Sequence, residues 1–248
     1  MKRPFVTAAL VTTAVAALLS IPKAAWSAEL QFTTDFRIED CTFSAAGRNA
    51  YFSIEPGDQL VLEGDEDGET VVVQITVLNR QKVIVLHTPQ GETRRITTRV
   101  IEERETSDDE LVEVSRNFFA RCEQTGDIYY FGEEVDIYED GEIVHHEGSW
   151  RAGSGGARPG IIMPGTYLLG SRYFQEMAPG VALDRAEHTA MGLTISVPAG
   201  TFHDCIEVTE TTPLEPGSRS LKRYCPGVGL VQDGTTELVE FHLDGADD

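Results

Sequence analysis

The chain has 248 residues, and its 41 acidic and 20 basic side chains give a formal net charge of −21 at pH 7. A surface this negative repels the phosphates of nucleic acids and the headgroups of anionic lipids, which disfavours both as partners. Charge that simply keeps the protein soluble is a better explanation than a dedicated cation site.

The first segment is typical of a secretory signal peptide. Lys2 and Arg3 precede an uncharged apolar run at residues 5–21, and the small residues Ala25 and Ser27 follow it. The run is shorter than the ~20 predominantly apolar residues of a membrane-spanning helix. We therefore predict a signal peptide at residues 1–27, a single exported domain at residues 28–248, and no membrane anchor after cleavage.

Past this segment, short β-rich runs alternate with turn sequences, and no long stretch shows a helical period. The predicted strands are, in chain order, Asp58–Glu63, Glu69–Leu78, Lys82–His87, Thr93–Glu102, Glu110–Cys122, Ile128–Phe131, Glu134–Tyr138, Glu142–His146 and Leu193–Val197. Alternation in the last run points Leu193, Ile195 and Val197 to one face. The sequence thus predicts an all-β fold, a single antiparallel, strongly curved sheet or incomplete β-barrel.

The interval from Gly153 to Gly170 is rich in glycine and proline, which excludes a central strand. One interpretation is a linker between domains. The apolar triplet Ile161, Ile162 and Met163 favours a long ordered loop that closes over one end of the sheet with these side chains packed inward.

Export would place four cysteines in an oxidising compartment, secreted or periplasmic, where disulfides form. It would also remove three of the 20 basic residues, leaving 17 against 41 acidic ones and a net charge of −24. A zinc site is the alternative use of Cys41, Cys122, Cys205 and Cys225, but none of them has the Cys-x-x-Cys spacing that such a site favours.

One disulfide pairing has local support. The turn sequence Pro213–Gly217 is centred midway between Cys205 and Cys225. Strands that pair about this centre place Cys205 opposite Cys225, and in the same register they align an apolar pair, Ile206 with Tyr224, and an ion pair, Glu207 with Arg223. By elimination, Cys41 would bond to Cys122.

Candidate metal ligands are few. Adjacent residues of a strand point to opposite faces, so at most His145 and Glu147 of the sequence His145-His146-Glu147 could share a metal. The remaining histidines show no motif spacing, and surface histidines are the simpler interpretation. They are His87, His188, His203 and His242.

Other site signals are weaker. The acidic segment Asp65–Glu69 lacks the ligand spacing of a calcium loop, so we predict an acidic turn with no cofactor beyond weak calcium binding. Ser154, between two glycines, lacks the strand–turn–helix context of a hydrolase nucleophile. We predict no catalytic residue and no metal ligand from sequence.

Three stretches resemble a group of uncharacterised bacterial secreted proteins and lipoproteins that share a domain of unknown function. They are Glu147–Gly153 running into Pro159–Pro164, Thr212–Gly217, and Tyr224–Val231 with its Pro-Gly-Val-Gly-Leu-Val element, and the resemblance covers about Tyr51 to Val239. The last stretch is also similar to C-terminal elements of envelope proteins whose open, curved sheets hold lipids or other partners. The resemblance implies an envelope-associated β-protein and brings no catalytic residues.

The leading functional hypothesis is an exported, non-catalytic binding or scaffold protein of the bacterial cell envelope, for an apolar ligand, a divalent cation or an envelope protein. The alternative is a secreted hydrolase whose active-site residues are dispersed over several strands. Histidines clustered with carboxylates in a closed pocket would favour the enzyme, and an apolar trough without convergent polar groups would favour binding.

Overall fold

The computed structural model of the protein describes residues 31–87 and 93–244. The predicted signal peptide lies outside these residues. From Phe32 on, the described chain belongs to one compact unit with a single turn of 3-10 helix at Ile38–Asp40. Its strands are β1 Phe43–Ser44, β2 Gln59–Glu66, β3 Glu69–His87, β4 Thr93–Ser107, β5 Glu110–Cys122, β6 Ile128–Glu139, β7 Glu142–His145, β8 Trp150–Arg151, β9 Arg158–Met163, β10 Arg172–Phe174, β11 Glu176–Met177, β12 Arg185–Val197, β13 Gly200–Thr211, β14 Ser220–Cys225, β15 Gly229–Asp233 and β16 Thr236–His242.

The strands form one antiparallel sheet that curls into a nearly closed barrel with an unsealed seam. Neighbouring strands follow the order β10-β12-β13-β14-β15-β16-β2-β3-β4-β5-β6-β9-β11. The two ends of this order adjoin in the chain, separated by Gln175: β10 pairs with β12 and β11 pairs with β9. One short segment therefore runs along both sides of the seam. The all-β fold and the single curved sheet predicted from sequence are confirmed.

The sheet is covered on both faces along β5 and β6. Consecutive residues of these strands, such as Phe118 and Phe119, are buried, which a sheet with one wet face would not allow. Phe119 faces the barrel interior, whereas the outward Phe118 ring lies under the ammonium group of Lys82 at 5.3 Å. The pairing of β3 with β4 is irregular after Val77. The part of this hairpin that follows Val77 therefore covers the outer face of the barrel wall.

The segment before β2 covers one end of the barrel. The Asn49 side-chain amide donates to the backbone carbonyls of Gly126 and Met163, and Gly227 donates its backbone N–H to Ala50. These partners lie in the β5–β6 turn, at the end of β9 and in the β14–β15 turn. The segment therefore joins three turns at the same end.

The two disulfides join Cys41 to Cys122 and Cys205 to Cys225, as the sequence predicts. The expected register is also present, with Ile206 opposite Tyr224 and Glu207 opposite Arg223. The Arg223 guanidinium lies 3.0 Å from the Glu207 carboxylate. The first bridge ties the N-terminal segment to β5, beside the short pairing of β1 with β5.

Two disulfides point to an oxidising, extracytoplasmic location. Within the residues that the structure describes, no helix has the length and apolar character needed to cross a bilayer.

The predicted long loop is interrupted by a strand, so the interval is not a loop throughout, although Ile161, Ile162 and Met163 pack against the core as expected. Arg158–Met163 forms strand β9, which pairs with β6 and places Gly160 opposite Tyr130. A Cβ atom on Gly160 would lie 2.3 Å from the carbonyl oxygen of Phe174, so the missing side chain is what lets the seam segment approach β9. Pro159 is the second residue of β9 and lies opposite Glu176 of β11, in a pairing of only two residues.

We expect the two disulfides to contribute unequally to stability. The Cys41–Cys122 bridge closes a loop with a sequence separation of 81 and the Cys205–Cys225 bridge one of 20. Loop-closure entropy then predicts losses of about 4.5 and about 3 kcal/mol for the respective paired Cys→Ser variants. Urea unfolding of both variants measures the difference, and equal losses or the reverse order would contradict the prediction.

Candidate functional site

The barrel contains a cavity of about 290 Å³ that is lined by residues of eleven of the sixteen described strands and by Phe52 of the N-terminal segment. This volume is at the lower end of the range for small-molecule sites, ~300 Å³ and above. The lining is aliphatic on β2 and β3, whereas most of the other lining strands contribute carboxyl groups, so the cavity combines an apolar wall with an acidic surround.

One side is an aliphatic wall formed by the inward positions of two neighbouring strands. These residues are Leu60 and Leu62 of β2 and Val73, Ile75 and Val77 of β3. The period of two along a strand explains the pattern, because every second side chain of β2 and β3 points into the barrel.

Aromatic rings form a floor beside the aliphatic wall, at the end that the N-terminal segment covers. Phe52 meets the Phe119 ring edge-on with centroids 5.3 Å apart, and Phe119 stacks on Tyr130 at 4.8 Å. The Tyr130 hydroxyl donates to Asn117 Oδ1 at 2.5 Å. The aromatic floor, Phe52, Phe119 and Tyr130, therefore ends in a polar group.

The other lining strands carry an acidic cluster, defined as Glu103 of β4, Glu113 of β5, Glu133 of β6, Glu176 of β11, Glu210 of β13 and Asp233 of β15. Glu103 borders the aliphatic wall, because it lies opposite Ile75 of β3 in the sheet register. The sheet register brings several of them together. Glu133 lies opposite Asn117, and Glu103 lies opposite Ser115 on the same strand, β5. Strands from both halves of the barrel thus direct carboxyl groups into one small volume.

Among the described residues that line the cavity, Lys222 of β14 is the one base. Its ammonium nitrogen lies 3.2 Å from Glu210 Oε2 and 3.2 Å from Asp233 Oδ2. Burial by itself would lower the pKa of Lys222, but the two carboxylates raise it well above the ordinary value. Lys222 is therefore charged and paired with these two carboxylates.

Two members of the acidic cluster titrate near neutrality. Burial raises the pKa of Glu103 from 4.5 to about 7, with Lys222 lowering it and Asp233, Glu113 and Glu210 raising it. The pKa of Glu133 is likewise raised to about 7, mainly by burial. The charges of Glu103, Glu113 and Asp184 also raise it, whereas the neighbouring Tyr130 hydroxyl lowers it. Their charge therefore changes within the physiological range.

The histidines singled out from sequence lie elsewhere. His145 and His146 are exposed on and just after β7, and His146 lies 2.9 Å from an oxygen of Asp136. His203 contacts Thr194, and His242 contacts Asp244. No histidine lines the cavity among the described residues. The histidine cluster that would have favoured a hydrolase is not formed in this part of the chain.

His188 was expected on the surface, and that expectation was wrong. It is 1 % exposed, and its ring stacks on Tyr167 with centroids 3.9 Å apart. Burial lowers its pKa to about 4, so the ring is neutral. Nδ1 donates to the Leu168 carbonyl and Nε2 accepts from Tyr173, which fastens the loop before β10 to the sheet.

The acidic turn at Asp65–Glu69 spreads its carboxylates over separate partners. Asp65 accepts the Gly68 N–H, Glu66 accepts from Thr235 and Glu69 accepts from Ser107. Within the described ranges, no group of three or more His, Cys, Asp or Glu side chains is placed to hold a metal ion. Ser154 lies in a turn outside the cavity lining.

Comparison of the chain with family models, with curated proteins and with solved structures finds no match. The functional argument therefore rests on the cavity and its lining.

Replacement of Lys222 by methionine should destabilise the barrel by about 2 kcal/mol at neutral pH, because the Glu210 and Asp233 carboxylates lose their counterion in a partly desolvated interior. The matched variant Lys82→Met breaks an outer ion pair with Glu134 and should cost about 0.5 kcal/mol. Urea unfolding compares them. Equal losses would show that Lys222 is not the interior counterion.

The raised pKa values of Glu103 and Glu133 predict that the free energy of unfolding falls as pH rises. Their folded-state pKa values lie above the ordinary 4.5, so the native state binds more protons, and stability present below about pH 4.5 is lost through about pH 7. Glu103→Gln and Glu133→Gln should flatten this slope in urea unfolding at about pH 5 and about pH 7.5. Slopes identical to that of the wild type would contradict the assignment.

Proposed function

We propose that the protein is an exported binding protein of the bacterial cell envelope that holds a small ligand inside its barrel. The observation that carries this proposal is the cavity of about 290 Å³ with an aliphatic wall and an aromatic floor. An apolar interior left open in a folded domain is costly unless something fills it, because its lining loses packing contacts. The disulfides and the apolar run at residues 5–21 support export.

The resemblance of Tyr224–Val231 to elements of envelope proteins that hold lipids supports the same proposal. In this chain Tyr224 and Leu230 line the cavity. The segment therefore contributes directly to the proposed site.

A secreted hydrolase is the second candidate, and one observation favours it. Glu103 and Glu133 have pKa values of about 7, which suits a general acid that works near neutral pH. Recovery of a bound probe unchanged after prolonged incubation distinguishes a binding protein from this enzyme.

The fluorescent apolar probe N-phenyl-1-naphthylamine tests the binding site. Ile75→Trp fills the cavity from the aliphatic wall, so we expect saturable binding to the wild-type protein to weaken at least about tenfold in this variant. The adjacent Gln74 is exposed on the outer face of β3, and Gln74→Trp should bind as the wild type does.

Circular dichroism serves as the control that both variants keep the β fold. The proposal fails if the wild type shows no saturable binding, or if both variants bind as the wild type does. Equal loss in both would place the probe outside the barrel.

A further inference from the structure

The cavity holds more carboxyl groups than internal cations can balance. Eight acidic residues line it against one base: Asp58, Glu103, Glu113, Glu133, Glu176, Asp184, Glu210 and Asp233 against Lys222. Lys222 is engaged by Glu210 and Asp233. Within the described chain Glu103, Glu113 and Glu133 form no ion pair, although all three face the same space. Carboxylates gathered in a partly desolvated space are stabilised when a positive group lies among them.

A second, independent feature is the hydroxyl of Tyr224. The residue is 4 % exposed and lines the cavity, and no hydrogen bond joins its hydroxyl to the described residues, although the hydroxyl is not among the fully buried unpaired atoms and so opens onto the cavity. Buried tyrosine hydroxyls are normally paired. Tyr224 lies two residues after Lys222 in β14, and both side chains line the cavity, so Tyr224 is on the same face of the strand as the base that pairs with Glu210 and Asp233. A polar group of a ligand in the cavity would complete its hydrogen bonding.

The arrangement suits an organic cation better than a metal ion. The described residues gather no set of three carboxylates or histidines that could hold a metal. An ammonium group needs only two or three oxygen acceptors at hydrogen-bond distance and gains further from aromatic faces. The aliphatic wall, whose Ile75 lies beside Glu103, and the aromatic floor accept an apolar body.

We propose that the ligand is a small organic cation, a protonated amine on a compact apolar body, whose ammonium lies among Glu103, Glu133 and Tyr224 while its body packs on the aliphatic wall. This inference rests on the proposed function and specifies the ligand class of the same site. The volume of about 290 Å³, at the lower end of the range for small-molecule sites, limits the body to about the size of the dye N-phenyl-1-naphthylamine.

Binding of such a cation is coupled to proton release. Glu103 faces Lys222, Tyr224, Asp233, Glu113 and Glu210, and its pKa of about 7 leaves it partly protonated at neutral pH. Glu133 faces Tyr130, Glu103, Glu113 and Asp184 and shares this property. An ammonium favours the ionised carboxylates, so affinity should rise with pH through this range, while both groups lose their protons.

Three probes of similar shape and different charge test the ligand class: 2-phenylethylamine, 2-phenylethanol and phenylacetate, each displacing N-phenyl-1-naphthylamine from the full protein. We expect the amine to displace the dye at a concentration at least about tenfold lower than the alcohol, with phenylacetate weakest. Glu103→Gln and Glu133→Gln should each reduce the preference for the amine several-fold.

The matched control is Glu102→Gln. Glu102 adjoins Glu103 in β4, lies outside the cavity lining and pairs with Arg116 at 3.0 Å, so this variant should keep the preference. Calorimetry in buffers of different ionisation enthalpy should also detect proton release on amine binding near pH 7, reduced in Glu103→Gln.

The outcomes separate the two proposals. Equal displacement by amine and alcohol, preference for phenylacetate, or no displacement by any of the three while the dye binds would overturn the cationic ligand and leave the binding function standing. No saturable dye binding at all would overturn the binding function itself. Loss of preference in Glu102→Gln to the same extent as in Glu103→Gln would contradict the assigned position of the ammonium.

Discussion

The closure of the sheet imposes the constraint on which the rest of the structure depends. Once the walls meet, every inward side chain shares one small volume, and carboxyl groups from β4, β6 and β13 face a base on β14. Water cannot solvate them as it does on a surface, so their ionisation depends on each other and on Lys222. The same closure leaves β2 and β3 to supply an uninterrupted aliphatic wall. Fold and site chemistry therefore have one origin.

The parts of the fold that local patterns determine were predictable from sequence. The pairing of Cys205 with Cys225 follows from one turn and a period of two, and it holds together with the Glu207–Arg223 ion pair. The alternation of Leu193, Ile195 and Val197 likewise matches their packing on one side, against the smaller buried cluster around Cys205. These features depend on residues close in sequence or on elimination among four cysteines.

The candidate site was not predictable in the same way. Glu102 and Glu103 are adjacent and identical, and because β4 is buried on both faces at Val100 and Ile101, alternation cannot tell which glutamate points inward. Glu133 fell in the predicted break between two strands, whereas β6 runs through it without interruption. Strand β9 was not predicted because its glycine was taken as a sign of a loop. The glycine is instead required by the close approach of the seam segment, which no local turn sequence indicates. Long-range closure, rather than local pattern, placed each of these residues.

The pairing of β2 with β16 has a consequence for how the molecule is made. Leu62 lies opposite Leu238, so the edge of β2 stays without its partner until nearly the whole described chain is present. Contacts of such long sequence separation are slow to form, and an unpaired edge is open to pairing with other chains while it waits. The covalent link from Cys41 to Cys122 involves only the first half of the described chain, so it can form before this edge is closed. The early bridge would hold β1 against β5 until β16 pairs with β2.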